Sequence, residues 1–180
     1  MKNYVLLFLL IIPIISFSQK FTKKEIKRFN KVLKRSNSAI RTFDKNSLVS
    51  VEKLSNGTVE GEIENALFMA GFEVVSNDVA KSSINISNPL NVENKNIEIS
   101  SKTEYKSVYV ITVNGNFYQG AIIGRCQSAL LSFSARIVDL ANGGKLVGTF
   151  KFSGNALTYV ACTEDVANAF AYKLLQLSDN

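Results

Sequence analysis

Residues 130–152 constrain the fold more than any other stretch of the chain. Leu130 to Leu140 and Lys145 to Phe152 read as two strands joined through Ala141-Asn142-Gly143-Gly144. An asparagine followed by two glycines accepts the positive φ that a tight reversal of two twisted strands demands, so the runs are predicted to form an antiparallel hairpin. A turn at Asn142-Gly143 pairs residues whose numbers add to about 285, because register is set by the turn. Carried back along the strands, this sets Cys126 opposite Tyr159 and leaves Cys162 just beyond. The two thiols are predicted to pair if the chain works in an oxidising compartment. A bulge between Gly154 and Tyr159 would shift the register and leave two unpaired thiols instead.

The flanking segments read as α+β. Leu48, Val49, Val51 and Leu54 suggest a strand, and Asn56-Gly57 a turn. Behind a Thr58 cap, Val59, Ile63, Leu67 and Ala70 recur at helical spacing, and Gly71 ends that helix in the left-handed conformation. Phe72, Val74 and Val75 start a strand suited to parallel pairing with the first. Val108 to Val113 is another strand, with Asn114-Gly115 read as a bend or bulge before Phe117 and Tyr118. Thr163 caps a last helix, with Glu164 and Asp165 at its amino end and Val166, Phe170, Leu174 and Leu177 as its apolar stripe. The predicted architecture is α+β: a mixed sheet built from a βαβ unit plus a carboxy-terminal antiparallel meander, closed by a carboxy-terminal helix. Residues 77–107 are rich in Asn and Ser and read as an exposed loop, with Ile84-Asn85-Ile86 and Ile97-Glu98-Ile99 as at most one short strand pair.

The amino terminus reads as an export signal over residues 1–18. Lys2 precedes an apolar run from Val5 to Ile15, and Ser16-Phe17-Ser18 fits cleavage after Ser18. Val5 to Phe17 gives thirteen residues, interrupted by Pro13, short of the roughly 20 that a spanning helix needs, so a retained anchor is the lesser reading. The mature protein is expected in the periplasm or outside the cell. Residues 19–46 form a basic amino-terminal arm: Lys20 to Lys45 holds ten Lys or Arg against Glu25 and Asp44. The single domain at 47–180 is mildly acidic.

Within the arm, Phe21, Ile26, Phe29, Val32 and Leu33 line one face of a helix capped by Thr22. Lys23, Lys24, Lys27, Arg28, Lys31, Lys34 and Arg35 surround it. Either the stripe packs on the domain and the lysines are solvated, or the helix lies on an anionic membrane surface or an acidic partner. The arm is expected to serve location or partner binding more than folding. Its seven basic residues, with Arg136, are the candidate partner contacts. Nucleic acid is not expected as a partner, since the domain body lacks a basic patch with interleaved aromatics.

Composition removes most chemistries. With no histidine in the chain, Ser-His-Asp and Cys-His nucleophile systems and histidine-ligated metals are excluded. No Walker or dinucleotide glycine pattern occurs, so no nucleotide cofactor is implied. Glu60, Glu62 and Glu64 are read as solvated acids on an exposed helix face rather than a glycosidase pair. Arg136 and Asp139, three apart on a strand, face opposite sides and cannot form one site; Asp139 is expected to shape the turn. Tyr105, Tyr109, Tyr118 and Tyr159 read as half-buried sheet residues. No catalytic residue, metal ligand or cofactor contact is assigned, and the chain is not expected to be an enzyme.

Three segments and the closing helix carry a resemblance: Gly71-Phe72-Glu73-Val74-Val75, Tyr109-Val110-Ile111-Thr112-Val113-Asn114-Gly115, and the hairpin from Ala135 to Val147. Their order over residues 47–177 resembles the superfamily of the curli-secretion lipoproteins, the lipoprotein activators of penicillin-binding proteins, and the amino-terminal domain of TolB. The resemblance implies a non-catalytic module acting by protein contact in the periplasm of a Gram-negative bacterium. The chain departs from it in having no cysteine directly after the signal, and residues 77–107 are too polar to supply pore hairpins. The leading expectation is an exported interaction module that helps assemble or regulate a cell-envelope machine, for cell-wall synthesis or outer-membrane export. The alternative is a secreted or periplasmic domain binding a small ligand or glycan.

Overall fold

Alternation of buried and exposed residues along the central strands sets the architecture. The computed structural model describes residues 21–41, 43–52, 58–80, 107–120 and 126–178. The expected export signal at 1–18 and most of the 77–107 segment, with Tyr105, lie outside them. In chain order the elements are α1 (Lys23–Leu33), β1 (Ser36–Ile40), β2 (Leu48–Glu52), α2 (Thr58–Met69), β3 (Glu73–Val74), β4 (Val108–Phe117), β5 (Ala129–Asp139), β6 (Lys145–Ser153), β7 (Ala161–Cys162) and α3 (Thr163–Ser178). They form an α+β fold whose mixed sheet runs β1-β6-β5-β4-β2-β3, with β7 beside β5. β2 pairs in parallel with both β3 and β4, and β4-β5-β6 is the antiparallel meander.

On one face of the sheet Ile111, Val113, Phe133, Ala135, Ile137, Phe150 and Phe152 are buried, and the helices pack there through Ile63, Leu67, Val166, Phe170 and Leu174. Phe133, Phe150 and Phe170 meet with ring centroids 5.3–6.0 Å apart. Fully burying each such side chain contributes about 1.5–3 kcal/mol, which makes this face the source of most of the stability. A small second cluster on the opposite face, Leu48, Ala80 and Val108, is joined by Val75 and the helical turn at 77–80.

The basic segment joins the same core. Phe29 and Val32 are buried, and Phe21 and Phe29 pack edge-on or tilted against Tyr172 of α3 at 5.8 and 5.9 Å. Arg28 reaches Asp165 of α3 at 3.3 Å. β1 then adds an edge strand to β6. The apolar stripe thus packs on the domain, as the first of the two readings of the arm has it, and its aromatics are anchored on α3.

Local signals hold closely. Thr22 caps α1 in a reciprocal box with Glu25. α2 ends in a Schellman motif: Gly71 has φ 87°, its N–H donates to the Phe68 carbonyl, and Phe72 donates to that of Leu67. Gly143 and Gly144 both have φ 72°, and the buried Asp139 carboxylate accepts from Ala141 N–H, from the Asn142 amide and from Val108 N–H.

Four expectations need correction. Asn114-Gly115 is neither bend nor bulge; β4 runs through it, and its irregularity falls between Asn116 and Phe117. Gly115 is there because a Cβ would lie 2.9 Å from Val59 of α2. Thr163 is the first helical residue, its hydroxyl 2.8 Å from that of Ser128, rather than a cap reaching into its own helix. Glu60 is buried, 3% exposed, while Glu62 and Glu64 are half-buried.

The fourth concerns register. Residues 132–137 pair with 148–153 as the turn dictates, but Gly154 N–H then donates to Leu131 O and a closed turn over Asn155–Tyr159 leaves the sheet. β7 rejoins six residues late, so Cys162 rather than Ala156 lies opposite Ala129. Cys126 and Cys162 form a disulfide with Cα atoms 5.3 Å apart.

Candidate functional site

The face of the sheet away from the helices is built from the alternate residues of the same strands. Register places Ala39, Thr149, Arg136, Thr112 and Glu52 in one row across five strands, and Asn37, Lys151, Ser134 and Asn114 in the row beside it. Thr112 donates to Glu52 at 3.1 Å. Arg136, Ser134, Lys151, Asn37 and Asn114 are exposed. These two rows are hydroxyl- and amide-rich and carry two cations, and the next row on the same face is apolar, Val110, Val138 and the exposed Leu146. The rows around Arg136 offer hydrogen bonds and charge, which suits contact with a polar or acidic partner.

A second surface lies on α1. Lys23, Lys24, Lys27, Lys31 and Lys34 are exposed. Of the other two predicted contacts, Arg28 is half-buried and paired with Asp165, whereas Arg35 stays exposed while its guanidinium carbon lies 4.2 Å from the centroid of the Tyr159 ring. Burial, then the nearby Asp165, push the Tyr159 hydroxyl above its ordinary range against the opposing pull of Arg35. Among the tyrosines, Tyr159 and Tyr118 are half-buried, whereas Tyr109 is buried, stacked on Phe43 at 4.3 Å. The helix lysines and Arg136 belong to separate surfaces, since Arg136 alternates away from the face on which the helices pack.

Sequence reasoning did not find the cleft where α1, α2 and α3 meet. It holds about 570 Å³ beside the Cys126–Cys162 bond, and Glu25, Glu62 and Glu164 line it together with Gln127, Asn65 and Asn168. The Glu25 carboxylate is turned to Thr22, accepting its hydroxyl at 2.6 Å and its N–H at 2.7 Å, and these bonds hold it below the usual carboxylate range. The cleft is polar, and among the described residues its lining holds no Lys or Arg. No single-residue signal announces it, because its walls come from three elements far apart in the chain. Among the described residues no three of His, Cys, Asp and Glu gather as a metal site would require, and no helix is long and apolar enough to cross a membrane.

No protein family model matches the chain, and no curated protein does. Solved structures similar to it include two of PelC. One is a PelC variant, a dodecamer from Paraburkholderia phytofirmans, 13% identical, with a TM-score of 0.41 and coverage of 79% of this chain and 97% of that one. The other is a PelC dodecamer from the same organism in a different space group, 10% identical, with a TM-score of 0.38 and coverage of 79% and 94%. At these values the likeness carries no argument about what this chain does.

Proposed function

We propose that the chain is an exported, non-catalytic interaction module that helps assemble or regulate a cell-envelope machine. The observation that carries this reading is the Cys126–Cys162 disulfide. Cytosolic thiols are kept reduced, so a covalent staple at the root of the closing helix supports a working life in the periplasm or outside the cell, after cleavage of residues 1–18. The open sheet face with Arg136 and Lys151 and the lysine-bearing face of α1 support action by contact with an envelope protein. The α1 lysines also suit an anionic membrane surface. Cell-wall synthesis and outer-membrane export are settings implied by the resemblance to the curli-secretion, penicillin-binding-protein-activator and TolB superfamily.

The cleft of about 570 Å³ favours a second reading, a small-ligand or glycan-binding domain, since its size and polar lining suit such a guest. A pull-down from envelope extract with the disulfide-bonded protein separates the two. Stoichiometric recovery of an envelope protein, lost in Arg136→Glu or in a variant with the α1 lysines neutralised, supports the module. Recovery of a glycan or small molecule without protein overturns it in favour of the second reading.

A further inference from the structure

β1 is an open edge with a chemical frame around it. Its residues, Ser-Asn-Ser-Ala-Ile, contain no charge and no proline, two of the devices by which sheet edges are blunted. The strand is held firmly on its inner side: Ser36 to Ile40 pair with Phe152 to Gly148, Arg35 O accepts from Ser153 N–H at 3.2 Å, and Arg41 N–H donates to Val147 O at 3.2 Å. Ile40 sits directly over Gly148, where a Cβ would lie 3.0 Å from it. In an antiparallel ladder, hydrogen bonding alternates by residue. With Arg35 and Arg41 bonded inward, Ser36, Ser38 and Ile40 turn their N–H and C=O groups outward, away from β6. Among the described residues nothing pairs with them. The opposite edge of the sheet, β3, is only two residues long.

The charges framing this edge select its occupant. Arg35 and Arg41 are both exposed and stand six residues apart at its two ends. A second copy of the chain, paired antiparallel so that the whole strand is used, would set Arg35 of each copy opposite Arg41 of the other. Like charges directly across a pair are destabilising, and here they would occur twice. A strand with a carboxylate at each end gains an opposite-charge pair in both places.

We propose that β1 is a docking edge for an extended segment of a partner protein, which adds antiparallel to the sheet and carries acidic residues six apart, opposite Arg35 and Arg41. This deepens the interaction-module reading and rests on it. Main-chain bonds to Ser36, Ser38 and Ile40 supply attachment, and the two arginines supply register and choice of partner.

The test is fluorescence anisotropy of the disulfide-bonded protein with a labelled Glu-Val-Thr-Val-Thr-Val-Glu peptide, against the same peptide with lysine at both ends. The acidic peptide should bind at least about fivefold more tightly, and the preference should shrink or reverse in Arg41→Glu. Ser38→Pro removes one outward N–H and leaves the ladder to β6 intact, so it should abolish peptide binding with the thermal midpoint little changed. Equal binding of the two peptides, or no binding of either by the wild type, overturns the proposal. So does a concentration-dependent dimer in sedimentation that Ser38→Pro disperses, because the occupant is then a second copy. Recovery of the same envelope partner by wild type and Ser38→Pro sinks this docking mode alone, whereas failure of the wild type to recover any partner sinks the module reading.

Discussion

The two faces of the sheet are made by the same strands and could hardly differ more. Along β5, Phe133, Ala135 and Ile137 are sealed under the helices, while Ser134 and Arg136 between them stand in solvent. One residue of displacement separates the site of most of the folding energy from a surface that contributes little to it. The helical face can therefore be held fixed while the open face and the edge beside it answer to partners.

The sharpest way to break this contrast is on the covered face. Phe170→Ala, beneath the Phe133 and Phe150 rings, should cost about 3–5 kcal/mol in denaturant unfolding, whereas a comparably sized truncation on the open face should not. A loss under 1 kcal/mol would mean that the aromatic cluster relaxes freely.

Next comes the staple. Replacing Cys126 and Cys162 together by serine opens a 36-residue separation. The chain-entropy model assigns that loop about 3.8 kcal/mol, with roughly 2–4 typical in practice. Thiol counting on denatured, unreduced protein should find no free thiol in the wild type, and the variant's denaturation midpoint should fall accordingly.

A smaller effect should appear at the rim of the cleft. Glu25 has its carboxyl held below the usual range by Thr22, so the stability it adds is present above the unfolded value near pH 4.3 and is lost as pH falls through the lower folded value. Because the group is close to solvent, the effect should stay under about 1 kcal/mol. Stability of Glu25→Gln measured between pH 6 and 3 should lack this component of the acid slope.

Smallest is the open face itself. Arg136→Ala should leave unfolding within about 0.5 kcal/mol of wild type. A larger loss would show that this row of side chains is structural, and the contrast between the faces would fail.

What could be read from the chain follows the range of the interaction. The Thr22 cap, the Gly71 stop and the Asn142-Gly143-Gly144 turn are local, and each is where spacing placed it. β1 was missed because Ser-Asn-Ser-Ala-Ile has no apolar alternation; it is a strand only because β6 offers it a ladder. Gly115 was misread as a turn residue because its need is a neighbour, Val59, more than fifty residues away. The cysteines show the intermediate case: the register held over Ser132 to Ile137, the Asn155–Tyr159 excursion displaced it by six residues, and the thiols met nonetheless. Of the candidate contacts, Arg136 could be placed by strand alternation, while the ties of Arg28 and Arg35 to Asp165 and Tyr159 depend on elements from the far end of the chain.

That last dependence has a consequence in time. Ser36 pairs with Phe152, 116 residues later, and Phe29 packs on Tyr172, later still. The sheet partner and the helix on which residues 21–40 pack are synthesised last. Long-range closure of this kind is slow, because loop entropy is spent before contacts reward it. If the chain is exported unfolded through a membrane channel, as proposed, the 21–40 segment waits for its partners until the carboxy-terminal helix has crossed, and that order of contacts favours threading.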